Sequence, residues 1–377
     1  MNTARLPENV IPVCSVNGSI REILLFYHCP VSENPALTGL RFAGLIEALG
    51  PQVNVYILIQ LPHGTGIDSL PQPASNVFLI PINPDVTPLM HSLTSWTQDV
   101  ILSFEDKQGG CLLWFDETRV DVVAMEKLKN HFPDIIISPH AKARLAGGNL
   151  LPVIDDGGHF LIAGADMLRV LENEHAAPVS DTALAGLFGI DSILWAGRTQ
   201  ESGMLNKKQP LFHVDLYLCP LGRLAIAADT QHILVAEIKP QYCLAGESEQ
   251  TRQLAEALDH TAQWLQQGQH GIRFGVIRVP LLVFDSEAAH IGSYTNAFAE
   301  NNNGHCRLIL PDYSPPDPLP GVNHLYKKPI DAVQQQLKTC LTAAGVAEVV
   351  FAADNYFELS QREGSLHCRA KVLSRTR

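Results

Sequence analysis

Charge is scarce in this sequence. Only 18% of the 377 residues are charged, and 27 Lys and Arg stand against 39 Asp and Glu, for a formal net charge of −12. That balance repels a phosphate backbone, and no basic stripe offsets it, so nucleic acid is not an expected partner. Paired cysteines are missing as well. The eight occupy positions 14, 29, 111, 219, 243, 306, 340 and 368 without forming a Cys-x-x-Cys, which leaves out zinc knuckles and thioredoxin-type redox pairs. No apolar run reaches the roughly 18 residues needed to cross a bilayer. The opening MNTARLPENVIPVCSVNG has no continuous apolar stretch of signal-peptide type. Scattered thiols without such a leader lead to the expectation of a reduced, cytoplasmic chain with no membrane partner; export by a route needing no N-terminal signal stays open.

Several motifs are absent too. No GxGxxG or P-loop follows a strand, no GxSxG marks a serine hydrolase, and no HExxH marks a metalloprotease. Neither a cofactor nor a resident metal is expected. What the chain has in quantity is apolar residues, at 46%, enough for a sizeable core and too many for a disordered chain. Its length suits one large domain or two ordinary ones.

Strand-like and helix-like runs alternate along most of the length. Ile23 to Tyr27, Val53 to Leu61, Val77 to Ile82 and Cys111 to Phe115 read as strands, and Asp121 to His131 as a helix. NLLPVIDDGGHFLIAG reads as a hairpin turning on two Asp and two Gly, and FHVDLYLCPLGRLAIAA as a second, turning at Pro220 to Gly222. Ser248 to Gln266 is the clearest helix, with Leu254, Leu258, Ala262 and Leu265 at helical spacing. Leu89 to Phe104 reads as a further helix, Asp331 to Ala344 as another, and Ser365 to Arg369 as the last short strand. Hairpins interspersed with single helices suit neither a doubly wound sheet nor a TIM barrel.

A quasi-period underlies this order. GGN at 147–149, HVD at 213–215, SYTN at 293–296 and HC at 367–368 recur about 65 to 80 residues apart, each bordering an extended segment. Four or five related modules account for the length, and a ring of them would gather strand ends around one central cavity.

Three polar islands interrupt apolar runs: Asp116-Glu117 after CLLWF, His213-Val-Asp215, and His367-Cys368. Strand alternation would put His213 and Asp215 on one face. Two carboxylates in a buried cavity repel unless a cation joins them, and a planar guanidinium with several N–H donors satisfies both. Its carbon is a weak electrophile, so attack needs a good nucleophile, and a thiolate at Cys368 fits that need. His213 would then protonate the departing amine and later deprotonate the water that clears the intermediate. Each residue also has a plain structural reading. Cys368 reads as an inert buried thiol, His213 as a core histidine, Asp116 as a helix N-cap, and Gly147 and Gly148 as residues of a tight turn. A metal on His213 and Asp215 would need a third ligand that the spacing does not supply.

At these same residues the chain resembles the guanidino-group-modifying, or pentein, superfamily, nearest to the agmatine deiminases and protein-arginine deiminases. LLWFDE, AGGNLLPVIDDGGHFLIA, FHVDLYL, SYTNAFAENNNGHCRLILPDY and GSLHC match in order across residues 112 to 368, while the first 110 residues carry no matching segment. The resemblance implies a single catalytic domain over 1–377, an α/β fold of the five-bladed propeller type, with pseudo-fivefold repeats around a central active-site cavity. It implies Cys368 as nucleophile and His213 as general acid/base. Asp215 becomes one guanidinium clamp and either Asp116 or Glu117 the other, with Trp114 and Asn149 lining the substrate site. The implied activity is a deiminase acting through a covalent thiouronium to give a ureido product and ammonia. The alternatives are an amidinotransferase or a non-catalytic binding protein on the same scaffold. The partner would be a small guanidine or a protein arginine side chain, and a homodimer is compatible with the family. Arg369 and Ala370 depart from the pattern that usually follows the nucleophile.

Overall fold

The computed structural model describes residues 10–28, 42–61, 66–70, 73–82, 97–106, 110–115, 120, 122–139, 146–155, 158–167, 180–197, 209–268, 271–314, 324–354, 356, 360 and 365–376. They form five small sheets of three or four strands. Every sheet follows one rule: two strands pair antiparallel, as a hairpin in four of the five, a helix crosses over, and a third strand returns parallel to the second. An antiparallel pair needs only a short loop, whereas a parallel partner needs a crossover of a dozen or more residues.

In the first unit Ile101–Asp106 pairs with Cys111–Phe115, the helix Val122–Glu126 crosses, and Ile136–Pro139 returns. The second uses Leu150–Asp155, Gly158–Gly164, the helix Asp181–Phe188 and Ser192–Ala196. The third uses Leu218–Leu224, Ala227–Glu237, the helix Glu249–Gln267 and Phe274–Val283. The fourth uses Phe298–Asn302, His305–Pro311, the helix His324–Ala343 and Glu348–Ala352. The fifth joins the two ends of the chain. Its first strand is the C-terminal Ala370–Arg375, paired antiparallel with Ile20–His28; the helix Ala43–Leu49 follows, and Asn54–Gln60 returns.

Local chemistry fixes the clearest helix. Ser248 accepts from the Thr251 N–H while the Thr251 side chain takes the Ser248 N–H, a reciprocal cap worth about 1 kcal/mol. Leu258, Ala262 and Leu265 bury one stripe, and Gly268 ends the helix at φ 85°, where a side chain would be strained.

Three expectations are corrected. Ile101–Asp106 is a strand that begins inside the stretch read as helical; residues 89–96 of that stretch lie outside the described residues. Leu102 and Phe104 enter one apolar cluster and Ile101 another, so a strand buried on both faces shows a continuous apolar run that periodicity does not separate from a helix. Leu218–Leu224 runs straight through Pro220 and Gly222, absorbing them as a register shift, and the chain turns later, at residues 225–226. The final strand begins at Ala370, after a 3-10 turn at His367–Arg369.

Candidate active site

Each unit's first strand is preceded by a tight turn. Three of these, Thr97–Asp99, Gly147–Asn149 and Val214–Leu216, are single turns of 3-10 helix, as is His367–Arg369; the fourth unit has the bend at 294–297 instead. The quasi-periodic motifs of the sequence fall on four of these turns. Side chains and backbone tie each turn to the next. Gln98 Nε2 donates to the Gly147 carbonyl at 3.2 Å. Asn149 Nδ2 donates to the Phe212 carbonyl at 3.2 Å, and its Oδ1 accepts from the Val214 N–H at 3.1 Å. Asn296 Nδ2 donates to the Asp215 carbonyl at 3.3 Å, and its Oδ1 accepts from the His367 and Cys368 N–H groups at 2.8 and 3.3 Å. The circuit closes through the fifth unit, where the Phe26 N–H donates to Thr97 Oγ1 at 3.0 Å. Gly147 is required by this closeness: a Cβ there would lie 2.1 Å from the Gln98 carbonyl oxygen.

Four side chains from three turns gather at one point, two of them in contact with the sulfur. Cys368 Sγ lies 3.1 Å from Asn296 Nδ2 and 3.5 Å from Asp215 Oδ2. The same Asp215 oxygen meets His367 Nδ1 at 2.9 Å. Asp215 is 1% exposed, Cys368 2% and Asn296 not at all. The other carboxylate oxygen, Asp215 Oδ1, is buried without a hydrogen-bond partner among the described residues. Leaving a buried acceptor unmade costs about 1–3 kcal/mol, more for a charged group, so such an oxygen calls for a cationic donor to complete it. Burial, followed by the charge of Asp166 and Asp215, pushes the Tyr217 phenol well above its ordinary range.

The other residues singled out from sequence fall as follows. His213 is half-buried and extended (φ −128°, ψ 144°) just ahead of the turn that carries Asp215, its ring 4.6 Å from that of Phe212. The expected strand face shared by His213 and Asp215 is therefore corrected: a turn separates them, because Asn149 and Gln209 hold the chain at Phe212 and Val214 before the strand starts at Leu218. Asn149 is thus a buried clamp on the segment that carries both. Trp114 packs in an apolar cluster with Phe104, Leu150 and Trp195. Asp116 and Glu117 lie outside the described residues. Among those described, no group of three or more metal-ligating side chains is gathered, and no helix is long and apolar enough to cross a membrane.

Arg369, which follows Cys368, is buried with its guanidinium 4.2 Å above the Phe42 ring. Asp354 accepts from the Gly44 and Leu45 N–H groups, capping the helix Ala43–Leu49 in place of a local N-cap. Burial raises the Asp354 carboxyl, and the charge of Arg369 opposes that rise. Sequence reasoning passed over Asn296 as a site residue. Its signals are membership of SYTN in the quasi-period and in the segment that resembles the family, and neither singles out a neutral amide.

No family model matches the chain, and no curated protein matches its sequence. Solved structures do resemble it. One, designated an arginine deiminase, from Porphyromonas gingivalis, superposes with a TM-score of 0.57 at 15% identity over 96% of this chain and 98% of its own. Another, designated an agmatine deiminase, gives 0.59 at 14% identity over 97% and 96%. The chain shares the mixed α/β, many-sheeted fold of these two structures over nearly all its length.

Proposed function

We propose that this pentein-fold chain hydrolyses a guanidinium group, with its five units as the blades of one α/β propeller and the ring of turns as the catalytic end. One observation carries the reading: a buried carboxylate, Asp215, holds a thiol and a histidine on one oxygen and leaves the other without a partner. A guanidinium N–H supplies the missing donor and the missing charge together. Asp116 or Glu117 would clamp the far side of the cation, beside Trp114.

The chemistry then runs in two steps. Cys368 Sγ bonds to the guanidinium carbon, and the C–NH₂ bond breaks as His213 gives its proton to departing ammonia. Water, deprotonated by His213, attacks the resulting thiouronium, and the C–S bond breaks to return the thiol and a ureido product. One water is consumed and one ammonia released. A thiol nucleophile is best kept reduced, which suits a cytoplasmic setting. The net charge of −12 gathers cationic guanidines. The burial of Cys368 and Asp215 favours a small guanidine over a protein arginine, which would need an open mouth.

The test is mass spectrometry on a panel of agmatine, free arginine, methylated arginines and an arginine-rich protein, with Cys368→Ala beside the native chain. A gain of about 1 Da on a small guanidine, lost in the variant, is the expected result. No product from any member would sink the hydrolase; product from the protein alone would move the substrate class; transfer of the amidino group to an added amine would put an amidinotransferase in its place.

A further inference from the structure

The geometry points to Asn296 as a positioning residue that presents Cys368 as an anion, donating its Nδ2–H to the sulfur while its Oδ1 fixes the turn on which the sulfur sits. The inference rests on the reading of Cys368 as the nucleophile. Its basis is the division of labour within one amide. Oδ1 faces two backbone N–H groups, those of His367 and Cys368, so an acceptor must occupy that position and the amide has one orientation. Nδ2 is thereby aimed at Cys368 Sγ, 3.1 Å away, and at the Asp215 carbonyl.

The placement of Asn296 is itself secured from behind. Ser293 Oγ donates to the Leu216 carbonyl at 2.6 Å, and Tyr313 Oη donates to the Ser293 carbonyl at 3.0 Å, fixing the bend that carries Asn296 between two neighbouring turns. The groups around the sulfur have opposite preferences. Asp215 Oδ2 accepts from a neutral thiol and repels a thiolate; Asn296 Nδ2 donates to either and gains most from the anion. His367 Nδ1, on the same carboxylate oxygen, moderates the charge of Asp215 when protonated. Arg369, the next cation along the chain, is turned away over Phe42. Asp215 opposes the anion and Asn296 Nδ2 favours it, while the same amide's Oδ1 holds the backbone that carries the sulfur.

The experiment reads ionisation directly and uses no guanidine. Thiolate absorbance near about 240 nm is followed from about pH 5 to 10, as the difference between each protein and the same protein carrying Cys368→Ser. Asn296→Leu removes donor and acceptor at similar size and no charge; Asn296→Ser is uncharged and too short to reach the sulfur. Circular dichroism selects variants that remain folded. The Cys368 midpoint is expected to rise by about one pH unit or more in both, equivalent to a tenfold smaller thiolate fraction at neutral pH. An unmoved midpoint in a folded variant of either kind overturns the proposal, as does a native thiol that stays protonated throughout. Should Asn296→Leu fail to fold, Asn296→Ser decides. A raised midpoint together with no ureido product from any guanidine would leave this inference standing and fell the hydrolase reading; the converse would do the opposite.

Discussion

The two ends of the five units use buried charge in opposite ways. At one end Asp215 spends its bonds on a histidine and a thiol and keeps an oxygen without a partner. At the other end, where the first strands finish, Arg375 is 5% exposed, and its bonds go to backbone. Nη1 donates to the carbonyls of Val16, Gly18 and Ala299, and Nη2 to that of Ser15. Those carbonyls belong largely to the segment 10–19, which crosses this end and bonds to Ser103, Pro152, Asn301 and Thr376 on the way. A cavity of about 970 Å³ lies there, lined by Asn17, Glu105, Arg223, Asn301 and Arg375 among others, and neither Cys368 nor Asp215 borders it. This cavity and the proposed site are therefore separate in the molecule. A charge that faces carbonyl dipoles holds chain together, whereas a charge that faces nucleophilic and titratable side chains is arranged to act.

That contrast breaks most visibly at Asp215. Asp215→Asn keeps the size and removes the charge, so ureido production is expected to fall by about a hundredfold or more with the melting temperature nearly unchanged. A variant that melts far earlier, with activity lost only in proportion to unfolding, would make Asp215 a structural residue. Arg375→Met is the mirror experiment. It keeps the stem's bulk but leaves several buried carbonyls without donors, so urea denaturation should show a loss of about 3 kcal/mol or more, while turnover per folded molecule holds. Equal loss of turnover in folded protein would mean that the two ends are coupled.

The smallest effect sharpens the comparison at Asp354, a buried carboxylate of the structural kind that sits close to the reactive end. Its folded-state carboxyl is raised, by burial first, above the ordinary aspartate value of 3.8. The folded chain therefore disfavours the charged form more than the unfolded chain does. That unfavourable contribution is present at neutral pH and disappears as the pH falls through the raised value toward 3.8. Asp354→Asn removes the titration and weakens the cap on Gly44 and Leu45, an effect of about 1 kcal/mol. The stability of the native chain relative to this variant is expected to improve on acidification in that window. A difference that stays flat with pH would show that Arg369 already cancels the burial.

Much of the fold was legible because its signals are local. Ser248 and Thr251, three residues apart, start a helix, and Leu258, Ala262 and Leu265 keep it amphipathic whatever surrounds it. Short apolar runs such as Val77–Ile82 and Cys111–Phe115 read as strands to the residue; Ile101–Asp106 reads as the end of a longer helical stretch because its apolar residues continue one that periodicity alone does not separate from a helix. In the site, titratable types drew the eye to Cys368, His213 and Asp215, and the neutral Asn296 escaped it. The partition between strand and turn at His213 was also hidden, since it is imposed by Asn149 and Gln209 from other parts of the chain.

By itself the sequence determined the alternation of hairpin and helix, the spacing of the four polar motifs and the residue types available for chemistry. Tertiary structure alone decided what those residues became. Cys368 meets Asn296 across 72 residues and Asp215 across 153, and its own turn is held in place by a strand that pairs with residues 20–25 at the other end of the chain. Hydrogen bonds act over about 3 Å and carry no trace in the spacing of residues so far apart, so only the closed circuit of turns could bring a thiol, a carboxylate and an amide to one point.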